Sequence, residues 1–148
     1  MMGEQVEFFV NGLIEYTKNN KLEWFPFSSC EHKQDILREL DLGYSGIDFG
    51  MNSVRESKSY YLKVKEGYVL LFNIYHGDPS VTSPHMDSLA LMVKINDFLP
   101  IQDLTGYSAA TPENLEILRV LAESQVENRY PLPDALYNFL QDVFLENK

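Results

Sequence analysis

The feature that most constrains this chain is the run from Lys58 to His76, where two segments rich in aromatic and β-branched residues flank a short polar turn. Such residues suit a pleated, half-buried surface, so the run predicts a β-hairpin. A three-residue loop Lys65-Glu66-Gly67, with Gly67 in the left-handed conformation of a bulged turn, puts Tyr60, Leu62 and Val64 on one face with Tyr68, Leu70, Phe72 and Ile74. That face is apolar throughout. A two-residue Glu66-Gly67 loop shifts the parity and sets Lys63 and Lys65 beside Leu70 and Tyr68, so the three-residue loop is the preferred reading. The second strand is apolar on both faces, which calls for a central place in the sheet or cover on both sides.

Elements on either side of the hairpin follow from periodicity. Residues 4–20 place Val6, Phe9, Val10, Leu13 and Ile14 at helical spacing. The aromatic segment Trp24-Phe25-Pro26-Phe27 follows, and Ser28 with Glu31 matches a capping box that starts a second helix running to Leu40, with Gly43 ending it. Residues 44–57 read as an irregular or edge strand, since Ile47, Phe49 and Met51 alternate but Gly46 and Gly50 intervene. The turn-rich stretch Gly77 to Pro84 predicts a loop. From Asp87 a strand begins in which Leu89, Leu91, Val93 and Ile95 alternate with Ala90, Met92 and Lys94, followed by a loop to about Ala110. Thr111 and Pro112 are a cap and first helical residue for a helix bearing Leu115, Leu118, Leu121 and Ala122 on one side. A last helix from about Asp134 carries Leu136, Phe139, Leu140, Val143 and Phe144, a stripe expected to dock on the sheet.

Strands grouped between helices predict the α+β class: an antiparallel sheet of three or four strands with N-terminal and C-terminal helices packed on it, residues 1–148 forming a single globular domain. A chain of 148 residues buries a sizeable core without crosslinks. Cys30 is the only cysteine, which excludes an intrachain disulfide and fits a reducing compartment. The opening Met1-Met2-Gly3-Glu4-Gln5 lacks the pattern of a secretory signal, and no segment has membrane-spanning length, so a cytoplasmic protein without a membrane partner is expected. A net charge of -10 and a pI near 4.6 argue against nucleic acid, which demands a positive footprint, and favour a basic protein surface.

Chemistry-bearing patterns are few. His76-Gly77-Asp78 and His85-Met86-Asp87 stand at the two ends of the predicted loop, and His76, Asp78, His85 and Asp87 are suitable ligands for zinc, manganese or iron. Short His-x-Asp patterns in a polar loop arise easily by chance, so an ordinary loop is preferred and no cofactor is expected. Cys30 and His32 sit near a helix start, where neighbouring side chains diverge, and the cysteine reads as a structural thiol. No Gly-rich phosphate loop, nucleophile elbow or dinucleotide fingerprint is present. Among nine Tyr, nine Phe and one Trp, Trp24, Phe25, Phe27, Tyr60, Tyr61 and Tyr75 are the candidates for a binding surface, with Trp24, Phe25 and Phe27 foremost. Glu113, Glu116, Glu123, Glu127, Asp134 and Asp142 are the candidate source of an acidic field.

The segment Pro131-Leu132-Pro133-Asp134-Ala135-Leu136-Tyr137-Asn138-Phe139-Leu140 resembles the Leu-Pro-x-x-Tyr-x-x-Phe-Leu helix start of the SMI1/KNR4 family. In that family the motif comes early and a sheet follows it, whereas here it stands after the predicted strands, so neither fold nor sites are carried over. The functional expectation is a non-enzymatic protein-binding module, an accessory or immunity-type protein engaging a basic partner. The alternatives are a small metal-dependent enzyme built on the His/Asp residues and a homo-oligomeric structural protein.

Overall fold

A computed structural model of the chain describes residues 2–42, 53–75, 87–105, 110–129 and 132–146. The class is α+β, with a six-stranded antiparallel sheet among these residues rather than three or four strands. Helix α1 spans Met2–Lys18, β1 Phe25–Pro26, α2 Lys33–Leu42, β2 Ser53–Val54, β3 Tyr60–Val64, β4 Gly67–Tyr75, β5 Asp87–Lys94, β6 Gln102–Asp103, α3 Pro112–Arg129 and α4 Leu132–Glu146.

The sheet is built around β4, every residue of which is buried. Along one edge β5 pairs with it from Tyr68↔Lys94 to Tyr75↔Asp87. Along the other edge β3 takes residues 67–71 and β2 takes Ile74 and Tyr75. The gap between β3 and β2 is closed by a side chain, since a buried backbone N–H without a partner is costly. Asn73 N donates to Ser59 Oγ at 2.9 Å, and that hydroxyl donates to the Arg55 carbonyl at 2.8 Å. Beyond these, β1 lies outside β3 and the two-residue β6 lies outside β5. Strand β6 is too short to leave an alternating pattern in the sequence, which reads there as loop.

Both faces of β4 are covered, as its uninterrupted apolar sequence requires. Val69 and Leu71, with Tyr60, Leu62 and Leu91, pack beneath Val6, Val10 and Leu13 of α1 and Leu115, Leu118 and Ala122 of α3. Leu70, Phe72 and Ile74, with Ala90 and Met92, face Phe27, Cys30 and Ile36 and Leu40 of α2. Thr111 caps α3 as expected, its Oγ1 accepting from Asn114 N at 3.1 Å. The second helix starts later than its capping box implies. Ser28 lies within a 3-10 turn over Phe27–Ser29, and α2 begins only at Lys33. The Ser29 hydroxyl donates back to the Pro26 carbonyl at 2.8 Å, a local bond that competes with helix initiation. Gly43, residues 44–52 and residues 76–86, where a loop is expected, lie outside the described residues.

The hairpin forms with a different turn. Val64 pairs with Gly67, so the loop is the two residues Lys65 and Glu66, and Lys65 takes the left-handed position with φ 52. Gly67 is the first residue of β4, and its glycine identity answers a close approach: a Cβ there would stand 1.8 Å from the Lys94 carbonyl oxygen. The parity follows. Tyr60 and Leu62 share a face with Val69 and Leu71, and Lys63 stands opposite Tyr68. The ammonium of Lys63 lies 4.7 Å from the Tyr68 ring centroid. A lysine is tolerated at that position because its stem covers apolar surface while its charge meets an aromatic face.

Two substitutions test this turn. Gly67→Ala should lower the urea midpoint by an amount equivalent to about 2 kcal/mol, because the obstacle is backbone of β5 and overpacking strains it. Lys65→Asn should raise the midpoint by roughly 0.5–1 kcal/mol, since asparagine tolerates the left-handed region better. An alanine at residue 67 that leaves the midpoint unmoved argues against the close approach.

Candidate functional site

The least satisfied surface among the described residues is on α4. Leu136, Phe139, Leu140, Val143 and Phe144 follow helical spacing and so share one side. They are respectively 50%, 63%, 41%, 36% and 65% exposed. The expectation that this stripe docks on the sheet is therefore corrected. The reason is geometric: α1 and α3 already occupy one face of the sheet, and α2 with the Phe27 turn occupies the other. Between Leu132 and Glu146 the charged residues are Asp134, Asp142 and Glu146, with no Lys, Arg or His. All the charge that the sequence of α4 carries is therefore negative.

The aromatic segment is mostly interior. Trp24 and Phe27 are both 0% exposed and present no surface to a partner. Trp24 Nε1 donates to Thr17 Oγ1 at 3.0 Å, and its backbone N donates to Gln125 Oε1 at 2.9 Å. Gln125 Nε2 also donates to the Leu22 carbonyl at 2.8 Å, so one side chain of α3 fastens the link between α1 and β1. Phe27 packs edge-on against Phe72 at 4.9 Å. Phe25 is half-buried, with the Arg129 guanidinium 4.4 Å from its ring centroid. Tyr60 and Tyr75 are buried and Tyr61 is half-buried. Patterning alone does not separate Trp24, Phe25 and Phe27 from a binding surface, because the two-residue strand β1 in their midst is too short to show a period.

The acidic residues divide into tied and free. Arg119 binds Glu116 through Nε at 2.9 Å and also holds Glu123. Its hydrogen bond keeps the Glu116 carboxyl below the usual carboxylate range. Glu113 and Glu127 are exposed on the same helix. Of the His/Asp residues, His76, Asp78 and His85 lie outside the described residues. Asp87 opens β5 and pairs with Arg55, Oδ1 to Nε at 3.0 Å, while Arg55 also lies over the Tyr75 ring at 4.6 Å. No group of three or more His, Cys, Asp or Glu gathers among the described residues in a way that suits a metal. Cys30 is a buried free thiol whose proton affinity is raised chiefly by burial, in keeping with a structural role.

A cleft of about 320 Å³ opens between α2 and the connection from β5 to β6, with Tyr68 in its wall and Asp35 and Asp97 among its lining. Glu39 bridges its two sides, one carboxylate oxygen taking Lys94 Nζ at 2.7 Å and the other the Ile101 backbone N at 2.6 Å. The Tyr68 residue is 4% exposed and its hydroxyl has no hydrogen-bond partner. Burial, followed by the charges of Cys30, Glu31, Tyr61 and Asp97, pushes this phenol up to about 12. No signal in the sequence marks the cleft, since its residues come from three separated segments.

The chain matches no protein-family model, no curated protein and no solved structure. No helix among the described residues is long and apolar enough to cross a membrane.

The Tyr68 phenol generates a pH prediction. Its folded-state value lies above the ordinary 10.0, so between about pH 10 and about pH 12 the folded chain holds a proton that the unfolded chain has lost. The stabilisation from this group is complete below pH 10 and falls away as pH rises through 12. Urea midpoints measured at about pH 9 and about pH 11 should fall less in Tyr68→Phe than in the wild type. Equal falls in the two proteins would remove the phenol as the cause.

Proposed function

We propose that this protein is a non-enzymatic binding module whose docking face is the α4 stripe and whose partner is a basic amphipathic segment. The observation that carries the reading is the exposure of Leu136, Phe139, Leu140 and Phe144 on one face of a helix whose charged residues are all acidic. Scattered exposed apolar residues need no explanation, but a contiguous row of large ones marks an interaction surface. Fully burying each such side chain contributes about 1.5–3 kcal/mol. Four of them offset a substantial part of the cost of association.

Charge selects the partner. A segment that presents an apolar ridge with lysine or arginine at its margins meets a helix that carries three acidic residues and no basic one, and an acidic segment is repelled. The whole-molecule charge of -10 adds long-range attraction toward a basic surface, screened beyond a length of about 8 Å at physiological ionic strength. Buried Trp24 and Phe27 belong to the core, so the interaction surface lies on α4 and not on the aromatic segment.

A defined probe tests the reading. A labelled synthetic helix with leucines at helical spacing and lysines on its flanks should bind, with association slowing as salt rises, while the same helix flanked by glutamates should not. Phe139→Ser and Phe144→Ser together should weaken binding by about tenfold or more with the thermal midpoint unchanged. Equal binding of the two peptides, or full binding by the double variant, would overturn the proposal. A wild-type dimer that the double variant disperses would identify the occupant as a second copy and replace this reading.

A further inference from the structure

We infer that the cleft between α2 and the β5–β6 connection is a binding site for a primary alkylammonium group, supplied by a free aliphatic amine or by a lysine side chain. The inference is independent of α4, which contributes none of the residues on which it rests.

The first support is charge balance. Lys94 is occupied within the protein, its Nζ lying 2.7 Å from Glu39 Oε1 and 2.7 Å from the Leu99 carbonyl. The cleft keeps the carboxylates of Asp35 and Asp97, both on exposed residues. Asp35 is 3.9 Å from His32 Nδ1. A carboxylate or phosphate ligand would meet these groups with like charge, whereas an ammonium would be drawn to them.

The second support is the Tyr68 hydroxyl, independent of the acids. Tyr68 lines the cleft, and its hydroxyl is buried and makes no hydrogen bond. Buried hydroxyls in folded proteins have partners as a rule, and an exception calls for a ligand or a role. The phenol oxygen accepts hydrogen bonds, and an ammonium carries three donors. Burial chiefly, and Asp97 in lesser part, raises the proton affinity of Tyr68 and so keeps the phenol neutral. Lys63 already lies over the Tyr68 ring face at 4.7 Å from its centroid, and the hydroxyl at the ring edge is the acceptor that remains. His32, half exposed and with its ring 6.1 Å from that of Tyr68, is the neighbour that would have to turn aside to admit the ligand.

Size and apolar lining complete the fit. A volume of about 320 Å³ takes a short alkyl chain, and Ile36 supplies an apolar wall beside the polar groups. The ammonium would donate to Tyr68 Oη and to Asp97, with Asp35 as the outer charge.

The test is an NMR titration of the whole protein with n-butylammonium and, separately, with Nα-acetyl-lysine methylamide, each against sodium chloride at matched ionic strength. Saturable shifts at Ile36 and Tyr68 are expected, and Tyr68→Phe and Asp97→Asn should each weaken binding by about tenfold, as loss of one charge-assisted hydrogen bond implies. Tyr68→Phe keeps the ring and so the core. Binding of both probes assigns the site to free amines as well as lysine, and binding of the lysine derivative alone assigns it to a protein side chain. Shifts equal to those from sodium chloride, or undiminished affinity in both variants, would overturn the inference. The paired substitutions Phe139→Ser and Phe144→Ser should leave these shifts unchanged, so failure of the α4 reading and failure of this one are separable.

Discussion

The structure depends on the burial of β4. Nine consecutive residues from Gly67 to Tyr75 are enclosed, so this strand needs partners on two edges and cover on two faces. Each requirement recruits a different part of the chain. The edges draw in β5 on one side and β3 with β2 on the other, and Ser59 satisfies the one amide that the division between β3 and β2 would leave unpaired. The faces draw in α1 and α3 above and α2 with Phe27 below. With those positions filled, no sheet face remains for α4, and its apolar stripe faces outward because of what the rest of the chain has done.

The same strand explains which parts of the fold were legible in the sequence. The central place of β4 is written in its lack of alternation, α1 in five apolar residues at helical spacing, and the start of α3 in Thr111-Pro112. The hairpin register was not legible. Choosing the loop from glycine chemistry assumes that the residue without a side chain takes the left-handed position, yet Lys65 takes it, and Gly67 is glycine because a β5 carbonyl lies against it. Contact with a strand 27 residues away in sequence leaves no local trace. A similar competition hides the start of α2, where a Ser29 hydroxyl bond to Pro26 holds a 3-10 turn in place of the capping box.

The candidate sites were legible to different degrees. The amphipathic pattern of α4 was plain, but its exposure was not, because a stripe reads alike whether it meets a sheet or solvent. The aromatic segment gave the opposite difficulty, since Trp24 and Phe27 look like surface anchors until β1 turns them inward. The cleft beside Tyr68 had no linear signature: residues 32–39, 68 and 94–97 meet only through the register of β4 and β5. An unpartnered hydroxyl is a property of packing, and a sequence does not record it.

The distribution of charge decides between the partners that an exposed apolar helix can take. Some of the acidity serves the protein itself: Glu39 ties α2 to Lys94 and Ile101, and Glu116 and Glu123 hold Arg119. Asp134, Asp142 and Glu146 stand on α4 with no basic residue in the helix. Two copies meeting through this face would bring together two acidic helices, each on a chain carrying -10 overall, and like charges brought close oppose association. A partner with basic flanks removes that repulsion while burying the same apolar area. On the proposed reading the acidity of α4 would oppose self-association as much as favour a basic partner, a discrimination that a neutral apolar stripe of the same size would lack.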